Sequence, residues 1–521
     1  MEKIVTVNLT DESVKYEEYL YSSSMDYGRG LAGRLIYENV PADAGRYSPE
    51  NALVLVPGIL TGTHSPSACR IIVAAKRDSA RGIQVCNTTG DLPQKLASLG
   101  VSALVVRGAY SKGNAVVLID EEGTQVLHMP ELGETTSVKV IIRRLREAFG
   151  EDIAILGISK AGDMRMSLAT FFCTYSEGKP EFHCPRSGFG DIPGSKGLRA
   201  IVVKNKRYFG RQCNNEEALM NGGRELTRMI VGNPICGNAL PGYGSATIMK
   251  ILKSNKELAP LKHEKRIQTQ ELEKTNYCCA PMCVVGCLNR HSQLGGEQFE
   301  SPDQSEVLDA LERFFGISSM ASAKDIQQRS NDLGIVGTEF VTAAGVYFKA
   351  IGETGGYERL KELLDEIEKG SPVGRLVASR TTGIYSIYQD KGELSKLLDR
   401  KAIDDERDFE VIIKEYMNEF PHMTGTEMLY TQIFVLENLG ICLFTSFATL
   451  NQKRSMELMA DMFTSRTGVG ATDLDLLRYA SRCIALELEY DRVCADSSVR
   501  TNVPPFTKVL YRYFGKQRQT I

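Results

Sequence analysis

Hydrophobic and polar positions alternate at the start of the chain. Ile4 to Leu9 reads IVTVNL, a turn at Thr10–Ser13 follows, and Val14 to Tyr19 returns, which predicts a β-hairpin. Short apolar runs bounded by turn residues recur at Leu53–Val56, Arg70–Ala75, Ala103–Arg107, Ala115–Ile119, Ile153–Leu156 and Leu198–Val203, with Gly82, Gly90, Gly100 and Gly108 between some of them. Val138, Ile141, Leu145 and Phe149 fall at helical spacing, so Ser137–Phe149 is expected to be a helix.

Beyond about residue 206 the period changes to that of amphipathic helices. They are expected at Glu216–Val231, Ser305–Phe315, Ala323–Leu333, Glu339–Ile351, Tyr357–Lys369, Asp408–Asn418, Glu427–Asn438, Ser455–Thr464 and Asp473–Leu488. No fixed-period repeat is found. The charged stretch Asp399–Phe409 suits a surface connection between two helical regions. Strands first and helices after suggest an α+β fold with segregated domains, not a βαβ alternation. The expected units are a β-rich domain at 1–205, a helical domain at 206–397 and a helical C-terminal domain at 398–521.

The 521 residues exceed one small domain, and 42% apolar with 24% charged residues is ordinary for a globular chain. A net charge of −3 offers no charge-driven grip on nucleic acid or an anionic membrane. Apolar runs such as Ala52–Pro57 and Ile71–Ala75 are far too short to span a bilayer, and MEKIVTVNLTDES lacks the apolar core of a signal peptide. The chain therefore reads as soluble and cytoplasmic.

In that compartment its thirteen cysteines are expected to be thiols or metal ligands. Eight, including Cys69, stand singly and read as small buried apolar residues. Cys278-Cys279-Ala-Pro-Met-Cys283-Val-Val-Gly-Cys287 is different: its spacing and turn-forming Pro281 and Gly286 fit an iron–sulfur site. A zinc knuckle competes, although no second CxxC or His pair stands at the usual distance. A cubane needs four ligands, and Cys442, just after Gly440, is the candidate fourth to Cys279, Cys283 and Cys287, with Cys278 as an alternative to Cys279. Gly28-Arg-Gly30-Leu-Ala-Gly33 matches G-x-G-x-x-G, but no buried strand precedes it, so these glycines are assigned to a tight turn into a helix at Leu31–Tyr37.

In order along most of its length, the chain resembles the aldehyde:ferredoxin oxidoreductase family of tungsten or molybdenum bis-pyranopterin enzymes, as a divergent, shortened member. The hairpin followed by Tyr27–Gly33 resembles that family's opening, with Ser48–Asn51 and Pro57–Thr63 after it. Cys69-Arg70-Ile-Ile-Val resembles the family's Gly-Arg-Tyr-Ser strand, and Cys86-Asn87-Thr88-Thr89-Gly90 its pterin-contacting Asn-Ser-Gly-Gly loop. Gly157–Asp163, Pro185–Gly190 with Pro193–Lys196, Asn331–Gly334 and Glu437–Cys442 resemble later motifs.

The resemblance implies a β-rich base carrying two pterins, two helical domains covering them, and a nearby [4Fe–4S] cluster. Cofactor contacts would fall on Arg70, Asn87, Gly90, Arg186, Gly188, Gly190 and Glu437. Glycine turns admit close backbone approach, arginines neutralise pterin phosphates, and the Asn87 amide orients a ring. This chain also departs from the family. Cys279 and Cys283 are separated by three residues instead of two, Val336 stands for an Asp, and Glu437 stands for another Asp. The family's Gly-Pro-Glu-Tyr-Glu-Thr appears as Ser301–Glu306, which puts Ser305 at the carboxylate position. Acid–base chemistry would then pass to Glu306 or Asp303, with His422 a weaker substitute for a family histidine.

The implied activity is oxidation of a small-molecule aldehyde to a carboxylate, with electrons leaving through the cluster to ferredoxin or an iron–sulfur partner subunit. A homo-oligomer is compatible with this reading. The alternatives are reduction of another carbonyl, activated ring or alkene on the same scaffold, and a non-catalytic electron-transfer or structural relative.

Overall fold

Successive side chains of a strand point to opposite faces, and in this protein both faces of two sheets are covered. The computed structural model describes residues 2–22, 25–78, 81–175, 182–185, 188–248, 272–293, 305–388 and 413–495. In the first sheet β1 (Glu2–Asn8) and β2 (Ser13–Tyr19) form the expected antiparallel hairpin. β3 (Leu53–Pro57), β4 (Ile71–Asp78), β5 (Arg81–Thr88) and β6 (Val101–Arg107) complete the order β2-β1-β6-β3-β4-β5. The second sheet holds β7 (Ala115–Ile119), β8 (Thr124–His128), β9 (Ile153–Ile158), β10 (Phe171–Thr174), β11 (Phe182–His183) and β12 (Leu198–Lys204), in the order β11-β10-β9-β12-β7-β8.

The inner faces share one core: Val5, Leu55, Val73 and Leu104 of the first sheet meet Val117, Leu156, Phe171 and Ile201 of the second. The alternate residues Val54, Val56, Ile72 and Val105 pack on the helix Gly28–Asn39 through Leu31, Leu35 and Ile36. On the far side Val116, Ile155 and Val202 pack on the helix Val138–Phe149, whose Ser137 accepts from the Val140 N–H as N-cap.

Two helical groups lie against this base. One gathers Ser305–Phe315, Met320–Asp332, Gly337–Ile351 and Tyr357–Lys369 around Leu168 and Ala169. The other packs Glu216–Gly232, Gly425–Leu439, Lys453–Thr467 and Asp473–Cys494 together. Capping boxes start two of these helices, Thr424 with Glu427 and Thr472 with Asp475. This is the α+β architecture expected from the sequence. Among the described residues no helix is long and apolar enough to cross a membrane.

The structure adds strands that the apolar pattern hides. β5 carries RGIQVCNT, with little alternation, and exists through its pairing with β4. The expected Cys86–Gly90 loop is therefore strand as far as Thr88. β8, β10, β11 and a small hairpin, β13 (Leu272–Tyr277) with β14 (Leu288–Gln293), are also new. The Asp408–Asn418 helix is found as Lys414–Glu419, its first residues lying outside the described ones, as does Asp399–Phe409.

A buried ionic group ties the N-terminus to the helices. Glu2 accepts from Arg211 at 3.0 Å and Arg466 at 2.7 Å. Burial alone would raise the Glu2 carboxyl, but Arg211 and Arg466 outweigh it and hold it down at about 2.

Candidate metal centre and cofactor cleft

Cys278 to Cys287 is the loop of the β13–β14 hairpin, whose last pair is Tyr277 with Leu288. Met282 (φ 64°) and Gly286 (φ 60°) turn the chain within it. Ser67 holds this loop to the β base. Its N–H donates to the Met282 carbonyl at 2.8 Å, its hydroxyl accepts from the Val284 N–H at 3.2 Å, and its carbonyl accepts from the Cys442 N–H at 2.9 Å. Ser67 itself has φ 54°, a strained conformation for a non-glycine residue, sustained here by those bonds.

Cys442 reaches the same place by a helix end. The helix Gly425–Leu439 stops at Gly440 in the left-handed conformation, φ 80°. Gly440 lies against Gly58, where an added Cβ would come within 2.1 Å of the Gly440 Cα. That closeness lets Ile59 and Leu60 donate to the carbonyls of Asn438 and Leu439, and Arg70 to that of Gly440, each at 3.1 Å. Gly28 and Gly30 serve this helix end as well: a Cβ on Gly28 would clash with the Asn438 backbone, and the Gly30 N–H donates to Asn438 Oδ1 at 3.0 Å. The G-x-G-x-x-G segment is thus a packing device at the start of a helix that begins at Gly28, three residues before the expected Leu31.

Arg70 stands among the thiols. Its Nη2 donates to Cys442 Sγ at 2.8 Å. Burial disfavours the guanidinium charge, yet Cys442, Cys279 and Cys69 outweigh it and hold the group well above its ordinary value. Cys283 is pulled well below the ordinary thiol value by hydrogen bonds from Cys278 and Cys279 and from the Gly286 and Val285 N–H groups, despite burial. That favours the thiolate, the metal-binding form. Burial raises Cys287, and Cys442 and Cys283 beside it act in the same direction. Cys278 directs its sulfur to the Cys283 carbonyl at 3.4 Å. Arg70 thus interacts with Cys69, Cys279, Cys287 and Cys442, and among the described residues no three Cys, His, Asp or Glu side chains close on a single-ion position.

Cys69 joins them. It is fully buried, packs with Tyr175, Cys279 and Ala280, and is hydrogen-bonded to Cys279. Sequence reasoning had set it aside as a lone apolar cysteine; its one signal was its place beside Arg70.

A polar network adjoins the thiols. Asn87 is register partner to Ile72, two residues past Arg70. Its Nδ2 donates to Glu437 Oε1 at 3.2 Å. Glu437 Oε2 accepts from Arg29 at 2.6 Å, and Arg29 also clasps Glu487 through Nε and Nη2 at 2.7 Å each. Glu437 is therefore held by two side chains from the β-rich region. His183, which the sequence reading did not single out, stacks on Tyr175 (centroids 4.7 Å) and bonds Thr88 Oγ1 at 3.3 Å through Nε2. Burial and Arg70 push it down to about 3, so it is a neutral imidazole.

The glycines divide into two places. Gly90 (φ 123°) lies against the Thr174 carbonyl, where a Cβ would sit at 2.5 Å. Gly188 and Gly190 lie at the other end of β10: the Gly190 N–H donates to the Ala169 carbonyl at 3.0 Å, and Arg46 donates to the Gly188 carbonyl at 3.2 Å. Arg186 and Asp303 lie outside the described residues. His422 is exposed, in a turn ahead of the helix Gly425–Leu439. Glu306 is in the first turn of the helix Ser305–Phe315 and accepts from Ser245 Oγ at 3.3 Å.

Residues 4–205 match the family model for the aldehyde ferredoxin oxidoreductase N-terminal domain. The tungsten-containing aldehyde ferredoxin oxidoreductase of Pyrococcus furiosus is 25% identical over 92% of this chain and 86% of its own length. Residues 4–205 are thus an aldehyde ferredoxin oxidoreductase N-terminal domain, and the chain as a whole is similar to the Pyrococcus enzyme. The enzyme of the same name from Thermococcus kodakarensis is 26% identical over 64% of this chain and 56% of its own. Among solved structures, the active site complex of benzoyl coenzyme A reductase, in complex with 1,5-dienoyl-CoA, shares the fold: TM-score 0.78, 15% identity, covering 99% of this chain and 94% of that one.

The residues present suit the groups that the similarity to these enzymes implies. Arg70 Nε, Asn87 Oδ1, His183 Nδ1 and both amide atoms of Asn331 are buried and find no partner among the described residues. Asn331 adjoins this region because its carbonyl accepts from Cys184, the residue after His183. Each orphan costs roughly 1–3 kcal/mol unless a ligand meets it. A polar heterocycle rich in donors and acceptors would satisfy such a set, and soft thiolates beside it suit iron.

Proposed function

We propose that this protein is a cytoplasmic metallo-oxidoreductase with a tungsten or molybdenum bis-pyranopterin and one [4Fe–4S] cluster, oxidising an aldehyde to a carboxylate and delivering electrons to ferredoxin or an iron–sulfur partner subunit. The observation that carries this reading is the grouping of Cys279, Cys287 and Cys442 near Arg70, with Cys283 beside Cys279 and Cys287, next to a buried polar network with unmet donors and acceptors. Cys279, Cys283, Cys287 and Cys442 would hold the cluster. Arg70, Asn87, Gly90 and Arg186 would hold pterin, with Gly188 and Gly190 bearing on it from the far end of β10. Glu437 would position Asn87.

When bound, the pterin metal supplies two-electron exchange with substrate, and the cluster supplies single-electron transfer. The protein's share is to bind, orient and move a proton. Glu306, with Asp303 beside it in sequence, is the proton-exchanging carboxylate in this reading. The names of the Pyrococcus and Thermococcus relatives support tungsten and an aldehyde substrate.

A second reading, reduction of another carbonyl or an activated ring, is favoured by Ser305 and Val336, which stand where the family motifs carry carboxylates. Elemental analysis of anaerobically purified protein for tungsten, molybdenum and iron tests the cofactor assignment. An aldehyde panel with a viologen acceptor then separates the two activities. Iron without either pterin metal would leave an electron-transfer role instead.

A further inference from the structure

The His183 imidazole is held on two sides, and its remaining polar atom is unmet. The ring stacks on Tyr175, with centroids 4.7 Å apart and planes inclined by 11°, and Tyr175 packs in turn on Cys279. The Thr88 hydroxyl meets Nε2 at 3.3 Å. Nδ1 is buried and finds no partner among the described residues, while Phe182 and Cys184 on either side of it are set in an apolar core. Leaving such an atom unmet is costly, so its orientation calls for a ligand. The same contacts lead to other unmet groups. Thr88 follows Asn87, whose Oδ1 has no partner, and the Cys184 thiol donates to the carbonyl of Asn331, whose two amide atoms have none. His183 stands two residues ahead of Pro185–Gly190, outside the stretches that carry the family resemblance.

We propose that His183 is a further cofactor-binding residue, whose Nδ1 forms a hydrogen bond to the pterin. The inference rests on the pterin assignment under the proposed function. Tyr175 fixes the plane of the imidazole and Thr88 its rotation within that plane, so both are positioning residues. A neutral imidazole has one donor and one acceptor nitrogen, and the bond at one nitrogen sets the role of the other. Because a hydroxyl can donate or accept, Thr88 matches whichever role the pterin atom requires of Nδ1.

The test compares anaerobically purified full-length wild type with His183→Ala, His183→Asn and His183→Gln. Pterin retained during prolonged buffer exchange is measured by the fluorescence of the released, oxidised pterin, with iron content as the control. The Asn amide places a polar atom where the imidazole has Nδ1, whereas Gln places one where it has Nε2. The expected result is pterin loss about tenfold faster in His183→Ala than in wild type, at equal iron content. His183→Asn should regain most of the retention, and His183→Gln should not. Wild-type retention in His183→Ala overturns the proposal. So does rescue by Gln and not by Asn, which would leave His183 only its bond to Thr88. Where His183→Ala fails to fold, the comparison of Asn with Gln decides alone, and equal loss of pterin and iron from both overturns the proposal as a packing effect. Wild-type protein that holds no pterin would defeat the cofactor assignment itself, and this inference with it.

Discussion

The guanidinium of Arg70 donates to the sulfur of Cys442 at 2.8 Å, joining residues 372 positions apart in sequence. Arg70 lies just ahead of β4, on the face that holds Asn87, and Cys442 follows a helix end. The pair therefore couples the polar network to the thiols. Replacing Arg70 by Leu removes the positive charge nearest Cys442. Iron loss to a chelator should quicken by at least about tenfold, as for other residues that support metal ligands. Chelator-resolved absorbance would measure it, and unchanged loss rates would remove Arg70 from the site.

The thiol assignments separate by substitution. Cys283→Ser should abolish the visible absorption of thiolate-bound iron, because Cys283 is the thiol most favoured as thiolate. Cys279→Ser should do the same, and Cys278→Ser should spare it. The opposite order for the last two would move the first ligand to Cys278.

Gly58→Ala tests how Cys442 is delivered. The new methyl would meet the Gly440 backbone at 2.1 Å, and overpacking of this kind costs about 1–3 kcal/mol. The thermal midpoint should fall, and iron content should fall with it although every cysteine remains. Full iron content at a lowered midpoint would mean that the site tolerates a displaced helix end.

The Glu2 carboxyl gives stability a defined pH dependence. Its folded pKa, about 2, lies below its usual 4.5, so its contribution is complete above about pH 4.5 and is lost as pH falls toward 2. The contribution is on the order of 3 kcal/mol. Glu2→Gln should lower stability near neutrality and flatten the acid limb of a denaturation series. A variant with the wild-type acid limb would show that other carboxylates set it.

Glu306→Gln addresses proton transfer. If Glu306 exchanges the proton, turnover should drop by roughly 100-fold or more with metal content unchanged. Ser245→Ala, which removes only its hydroxyl partner, should act far less. Near-normal turnover in Glu306→Gln and in Asp303→Asn would leave these carboxylates the helix-end role their position already explains.

How much of this was legible in the sequence differs by element. The short apolar runs at Leu53–Val56 and Ala115–Ile119 and the period-3.6 runs at Ser305–Phe315 and Tyr357–Lys369 found their elements with little change. In each, one face or both must be buried, and that need is written locally. β5 and the β13–β14 hairpin were missed because their order comes from partners: RGIQVCNT is a strand only beside β4. Cys278–Cys287 announced itself by crowding, and Cys442 by its place after a glycine turn.

What the sequence determined by itself was the class of fold and the residue types of the candidate site, because residue types and burial periods are local properties. Tertiary structure alone decided the company each group keeps. Glu437 is clasped by Arg29 and Asn87, and Ser67 pins both Cys442 and the thiol loop. Cys69, apolar by every local sign, lies against Cys279. Two glycines, Gly58 and Gly440, let a helix end touch the end of the interior strand β3, and backbone approach of that kind leaves no period in a sequence.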